Sequence, residues 1–284
     1  MTTVDAHAHV FAAVGDRFPR EVHAELTPPD REATVEQFVT EMEQAGVSQA
    51  VLVPLSHQDE YLRFSLERFP GRFALIGAQG PEAPSVEEYR RRRETAGLQG
   101  LRLFGLGDSG ETDPERLSTF PLLAELARSG DKLWFYGGRE QMEQLERVLG
   151  VLPELTVVLN HLGYWPSTLA VDEYRRPRFD APYPAEGLRA VTSLARFPRV
   201  LVLFAGLYAF AEGPCPYLDL RPVTTALLAA YGPGRLLLGS DTPWIREEPG
   251  YAETLASLEA HYPGLDEADR ARIRGGNALD LFHF

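Results

Sequence analysis

Lys132-Leu133-Trp134-Phe135-Tyr136 is a short apolar run that opens on Gly137-Gly138, and Leu155-Thr156-Val157-Val158-Leu159-Asn160 is a second. Between them Met142, Leu145, Val148 and Leu149 recur at helical spacing until Pro153 ends the repeat. The runs are apolar throughout rather than alternating, so each strand is buried on both faces, and the stretch reads as strand, covering helix, strand. Working outward, the same unit recurs along the chain. β-rich runs fall at residues 4–10, 47–55, 73–78, 98–104, 132–136, 155–160, 200–204 and 235–239. Helical stretches fall between them. Val35, Phe38, Val39 and Met42 share one face behind Thr34 as N-cap, with Gly46 as the stop. Asp113-Pro114 and Phe120-Pro121 read as helix starts. Further helices are expected over residues 59–69, 86–96, 185–196, 219–231 and 251–261. Eight strand-then-helix units, with no Gly-x-Gly-x-x-Gly turn, favour a single (β/α)8 TIM barrel over an open dinucleotide-binding sheet. One domain over residues 1–284 is the expectation, since no linker or repeat divides the chain.

Composition narrows the function classes. The chain has 284 residues, 44% hydrophobic and 24% charged, which assures a core and argues against disorder. Asp and Glu number 41 against 28 Lys and Arg, a net charge of -13. Such a surface repels phosphate backbones and anionic lipid, so neither nucleic acid nor membrane is expected as a partner. No apolar run approaches the ~18 residues of a membrane span, and the start has no signal-peptide pattern. With Cys215 the lone cysteine, a cytoplasmic location is expected. Homo-oligomerisation is left open. Lys132 is the only lysine. The run Arg90-Arg91-Arg92-Arg93 sits among Glu87, Glu88 and Glu94 and reads as a solvated helix face. Two longer irregular stretches, residues 11–29 and 163–184, follow the first and sixth strands, on the side where barrel loops build active sites.

Three groups carry the chemistry. In Asp5-Ala6-His7-Ala8-His9 the two histidines stand two apart on a strand and share a face. They suit two nitrogen ligands on one divalent metal, or two donors aimed at one oxygen. The plainer reading is a hydrogen-bonded pair inside the barrel. In Leu236-Leu237-Leu238-Gly239-Ser240-Asp241 an apolar strand runs into a carboxylate at the lip of the last strand, beside the first once a barrel closes. Asp241 there can bind a metal, deprotonate water, or merely cap a turn. In Val157-Val158-Leu159-Asn160-His161 the histidine ends the sixth strand, where it can polarise a carbonyl or accept a proton. Convergence of three strand ends on one mouth favours function over coincidence.

These motifs resemble the amidohydrolase superfamily, in its amidohydrolase-related branch of sugar-acid and dicarboxylate lactonases and metal-dependent decarboxylases. The resemblance rests on Asp5–His9 running into Val10-Phe11, on Asn160-His161-Leu162-Gly163, and on Tyr231-Gly232-Pro233-Gly234-Arg235 leading to Gly239-Ser240-Asp241-Thr242-Pro243-Trp244. The closing Gly276-Asn277-Ala278 is also similar. It implies that His7 and His9 are first-strand metal or substrate histidines, that His161 is the sixth-strand histidine, and that Asp241 activates water. Many relatives add a histidine or a carbamylated lysine on the fifth strand. Here that strand has no histidine, and Lys132 stands at its entrance. This departure removes a two-metal centre. It leaves one divalent metal, zinc or manganese, on His7, His9 and Asp241, or metal-independent hydrolysis.

Arg102 on the fourth strand, His57 after the second, Tyr136 and Arg139 at the fifth, and Tyr208 after the seventh are the candidate substrate contacts. An arginine fork in a barrel mouth pairs well with a carboxylate. The substrate expected is therefore a small molecule carrying a carboxylate or hydroxyls. The leading expectation is a hydrolase that opens a lactone of a sugar acid or small carboxylic acid. The alternatives are a mononuclear metal-dependent decarboxylase and an inactive ligand-binding barrel.

Overall fold

A computed structural model describes residues 2–82, 85–163, 169–179 and 183–284 of the chain. Eight parallel strands pair in the order β1 (Thr3–Ala8), β2 (Val47–Leu52), β3 (Phe73–Ala78), β4 (Leu98–Leu103), β5 (Lys132–Phe135), β6 (Thr156–Leu159), β9 (Val200–Phe204) and β10 (Leu236–Leu238). Between β6 and β9, β7 (Ala170–Val171) and β8 (Pro177–Arg178) form a small antiparallel ribbon. The helices that follow the eight strands are α1 (Val35–Gln44), α2 (Glu60–Arg68), α3 (Val86–Ala96), α4 (Phe120–Ser129), α5 (Arg139–Val151), α6 (Ala185–Ser193), α7 (Arg221–Tyr231) and α8 (Tyr251–His261). The short α9 (Glu267–Ala271) and α10 (Asn277–Leu281) complete the α-helices among the described residues. This is a nearly closed (β/α)8 barrel.

Local chemistry explains the elements. α1 begins in a capping box, in which the Thr34 side chain and Gln37 satisfy each other's backbone amides, and it buries Val35, Phe38, Val39 and Met42. α4 takes Pro121 in its first turn and stops at Gly130, whose φ of 74° a side chain would resist. α5 buries Met142, Leu145, Val148 and Leu149, the repeat legible in the sequence. Asp113-Pro114 starts only a single 3-10 turn, Pro114–Arg116, because Leu117 returns to extended backbone. The arginine run is only partly solvated. The exposed Arg90, Arg91 and Arg93 pair with the buried Glu125, the exposed Glu88 and the buried Asp131, but Arg92 is itself buried, forked on Asp59 and bonded to the Ala78 carbonyl.

Two apolar layers result. One lies inside the barrel, from Val4, Val51, Ile76, Trp134, Val158, Leu203 and Leu237 down to Phe282. The larger one fills the space between strands and helices. Lys132 stands at the start of β5 with its ammonium 5.1 Å from the Phe282 ring, at the opposite end from the mouth. Among the described residues no helix is long and apolar enough to cross a membrane.

The seam between β10 and β1 closes without a regular ladder. A single parallel bridge joins Ala8 and Thr242, made as the His9 amide donates to the Thr242 carbonyl (2.8 Å) and the Asp241 amide to that of His7 (2.9 Å). Gly239 allows this approach, since a Cβ there would lie 2.9 Å from the Cβ of His7. The loop from β1 to α1 is organised by Arg20, whose guanidinium donates to the carbonyls of Ala12, Glu21, Thr27, Pro28 and Arg31. The second irregular stretch expected over 163–184 is described only in part. Residues 164–168 and 180–182 lie outside the described residues.

Candidate active site

At the carboxyl ends of the strands, β1, β6, β9 and β10 bring four polar side chains onto Asp241. The carboxylate is 1% exposed and its residue sits at φ 63°, left-handed backbone that a non-glycine residue adopts only when its surroundings impose it. His9 Nε2 lies 3.1 Å and His7 Nε2 3.3 Å from Asp241 Oδ1. On the other oxygen, Tyr208 Oη donates at 2.7 Å, and His161 Nε2 stands 3.5 Å away. His161 follows β6 in a kinked turn, with φ of 39° there and 57° at Leu162. Its ring is seated edge-on between His7 (centroids 4.9 Å apart) and Tyr136 (5.0 Å). His7 stacks on Trp134, 5.8 Å between centroids and 7° from parallel.

Electrostatics follow from burial. Burial drives the His7 and His161 pKa values down, the latter to about 4, so both rings are neutral near pH 7. Burial works against the Asp241 charge, but His161, His7 and His9 together outweigh it and hold the carboxyl well below its usual range. The carboxylate is therefore an acceptor at any ordinary pH.

The donor set also fits one metal ion. His9 Nδ1 is 2.6 Å from the Val53 carbonyl, which can only accept, so that nitrogen carries the proton. The other ring nitrogen, Nε2, faces Asp241 Oδ1, so a positive species, a proton or a metal ion, belongs between them. Both ring nitrogens of His7 are buried without a hydrogen-bond partner among the described residues. One ligand atom from each of His7, His9 and Asp241 lies within 4.8 Å of the others. Nitrogen and oxygen ligands on a tetrahedral zinc stand about 3.3 Å apart, which matches the 3.1 and 3.3 Å seen here.

The remaining candidates divide. Arg102 lies at the end of β4, 6% exposed, with its guanidinium 4.7 Å from the Phe104 ring and 6.0 Å from that of Tyr136. Burial lowers it to about 10, against the pull of Asp241. Among the described residues no carboxylate lies within ion-pair distance of it, and its Nε has no hydrogen-bond partner. Tyr136 and Tyr208 join the cluster. His57 does not; it is paired with Glu21 (2.7 Å) in a surface groove beside Asp59, Glu88 and Arg92. Arg139 is the exposed first residue of α5 and pairs with Glu186 and Glu143. Position after a strand does not decide whether a side chain turns inward, which is why these two differ from Tyr208. Sequence reasoning gave no role to Trp134, the floor beneath His7, or to Arg176, 7% exposed and 5.4 Å from the Tyr208 ring. An indole amid an apolar strand is indistinguishable from core, and Arg176 falls in the irregular stretch, so neither left a signal.

The amidohydrolase family model Amidohydro_2 matches residues 4–284. The chain belongs to the amidohydrolase 2 family. No curated protein matches it by sequence. Among solved structures it is similar to a Pseudomonas putida protein provisionally named 2-pyrone-4,6-dicarboxylic acid hydrolase, at 24% identity and a TM-score of 0.75, covering 99% of this chain and 97% of that one. An amidohydrolase from Burkholderia multivorans with bound zinc matches at 22% identity and a TM-score of 0.71, covering 99% of each chain. The 5-carboxyvanillate decarboxylase of Sphingomonas paucimobilis matches at 14% and 0.65, covering 99% and 98%. At these identities the likeness establishes the barrel.

Proposed function

We propose that this family member is a cytoplasmic hydrolase that opens a lactone of a sugar acid or small carboxylic acid. The observation that carries the reading is Asp241, a buried, ionised carboxylate onto which three imidazoles and a phenol converge. A water held against it gives up its proton to the carboxylate and attacks the ring carbonyl; as the tetrahedral intermediate collapses the ring C–O bond breaks, and the proton on Asp241 passes to the departing alkoxide oxygen. The neutral His161 supplies an N–H to the carbonyl oxygen as it turns negative, in a buried site where that contact is little screened. Tyr208 keeps the carboxylate oriented throughout. Arg102, charged and unmatched by any described carboxylate, receives a carboxylate of the substrate in a two-point contact. His7, His9 and Asp241 would hold one zinc or manganese ion. When bound, it would supply Lewis-acid polarisation and a more acidic water. The provisional name of the Pseudomonas putida neighbour, a hydrolase of a cyclic ester bearing two carboxylates, supports this choice of substrate class.

The decarboxylase among the structural neighbours makes loss of carbon dioxide the second reading on the same residues. Product analysis separates the two, since ring opening releases no gas. The test is turnover of a panel of carboxylate-bearing lactones by wild type and Asp241→Asn. The variant folds and loses about 10²- to 10⁴-fold in kcat. Near-wild-type hydrolysis by Asp241→Asn overturns the reading, as does carbon dioxide release without ring opening.

A further inference from the structure

The cluster straddles the barrel's weakest join. His7 and His9 belong to β1, whereas Asp241 lies beyond the end of β10 at Leu238, across a seam with one backbone bridge. A side chain stands where a ladder would otherwise run. Asp5, fully buried in β1, accepts from the Ser240 amide (2.9 Å) and the His7 amide (3.1 Å) on Oδ1. On Oδ2 it accepts from the Ser240 hydroxyl (2.6 Å) and from Tyr251 Oη on α8 (3.0 Å). The Ser240 hydroxyl in turn accepts from the Thr242 amide (3.0 Å). Both neighbours of Asp241 are thus tied, directly or through one atom, to a carboxylate two residues before His7.

We propose that Asp5 is the positioning residue of the site, fixing the Asp241 carboxylate against His7 and His9 across the β10–β1 seam. Burying a carboxylate is costly unless charge-assisted hydrogen bonds compensate it, and an apolar side chain would fill an interior strand position more cheaply. Here the four donors that offset part of that cost include both groups of the residue preceding Asp241. The left-handed backbone at Asp241, which aims its side chain back over β1, is thereby held on its N-terminal side by Ser240 and on its C-terminal side by Thr242. Tyr251 adds an anchor from the helix layer. Asp5 touches neither Asp241 nor the imidazoles of His7 and His9 through its side chain, so it acts through Ser240 and the backbone amide of His7.

The proposal rests on the reading of Asp241 as the acting carboxylate, and its test keeps the two separable. Asp5→Asn and Ser240→Ala are compared with wild type for kcat and KM on a lactone that wild type opens, and by crystal structures of both variants. A displacement of a reacting group by about 1 Å costs up to about 100-fold. The expected result is a kcat lower by about 10- to 100-fold with KM within threefold of wild type, and an Asp241 carboxylate moved away from His9 in the Asp5→Asn crystal. Asp241 seated as in wild type in both variants overturns the proposal, as does an unchanged kcat or a loss confined to KM. If wild type opens no lactone, the lactonase reading fails, and the position of Asp241 in the two crystals still decides the role of Asp5. Should Asp5→Asn not fold, Ser240→Ala, which removes one hydroxyl and leaves the buried carboxylate, is read by the same criteria.

Discussion

Replacing Gly206 with alanine isolates how tightly the site is built. Gly206 follows β9 at φ 68° and ψ 23°, and a Cβ there would meet His161 Nδ1 at 2.5 Å and Cγ at 2.8 Å. Ordinary contact between such atoms begins near 3.5 Å, so the imidazole must retreat by about 1 Å. Tyr136 and His7 hold it edge-on, so that retreat is opposed by two rings. Left-handed backbone costs alanine about 1–2 kcal/mol, and overpacking a filled site adds about 1–3 kcal/mol. The expected destabilisation is therefore roughly 2–5 kcal/mol, read as a shift in the denaturant midpoint at unchanged slope. In a His161→Ala background the ring is gone, and only the backbone part, about 1–2 kcal/mol, should remain. The double-mutant cycle thus measures the ring contact itself, whatever the substrate turns out to be. An identical cost in both backgrounds refutes the reasoning. Hydrolysis by Gly206→Ala should fall by up to about 100-fold, since the displaced ring is the one 3.5 Å from Asp241.

Two further outcomes follow from single contacts. Tyr208→Phe removes the 2.7 Å bond to Asp241 Oδ2, a hydrogen bond to a charge worth about 1.5–3 kcal/mol, and should lower kcat by about 10- to 100-fold in a folded protein; unchanged turnover would exclude an orienting role for that phenol. Between α3 and α4, bidentate bonds from the exposed Arg90 and Arg128 hold the buried Glu125 well below the usual carboxylate range. A lowered folded pKa means the unfolded chain binds the proton more readily. The stabilisation is thus complete above the unfolded pKa of about 4.3 and fades as pH falls below it. Thermal midpoints of wild type and Glu125→Gln should accordingly differ at pH 7 and converge towards pH 3. A gap independent of pH contradicts the assignment.

Most strands were legible because a strand buried on both faces can hardly be anything but apolar. The runs at 73–78 and 200–204 match β3 and β9 in full, and the others end within a few residues of the expected limits. The ends differ where the backbone leaves the ladder to place a functional group. Residues 155–160 read as strand in the sequence, yet β6 stops at Leu159 so that His161 can enter left-handed backbone. Likewise β10 stops at Leu238, ahead of the turn that carries Asp241. Of the nine candidate site residues, His7, His9, His161, Asp241, Tyr136, Tyr208 and Arg102 gather at one mouth. His57 and Arg139 stay at the surface with acidic partners.

The sequence by itself determined the barrel, its single fifth-strand lysine at the wrong end for a bridging ligand, and the His-x-His, His161 and Asp241 motifs. These are properties of residue type, order and spacing, and local chemistry preserves them whatever the rest of the chain does. Tertiary structure alone decided that Tyr208 bonds to Asp241, that the Val53 carbonyl fixes the His9 proton, that Arg102 lacks a described acidic partner, and that Asp5 spans the closing seam. Each depends on where two distant segments meet: residues 5 and 240, or 9 and 53, become neighbours only when eight strands tilt into a ring. Spacing along one strand carries no information about what waits on the other side of that closure.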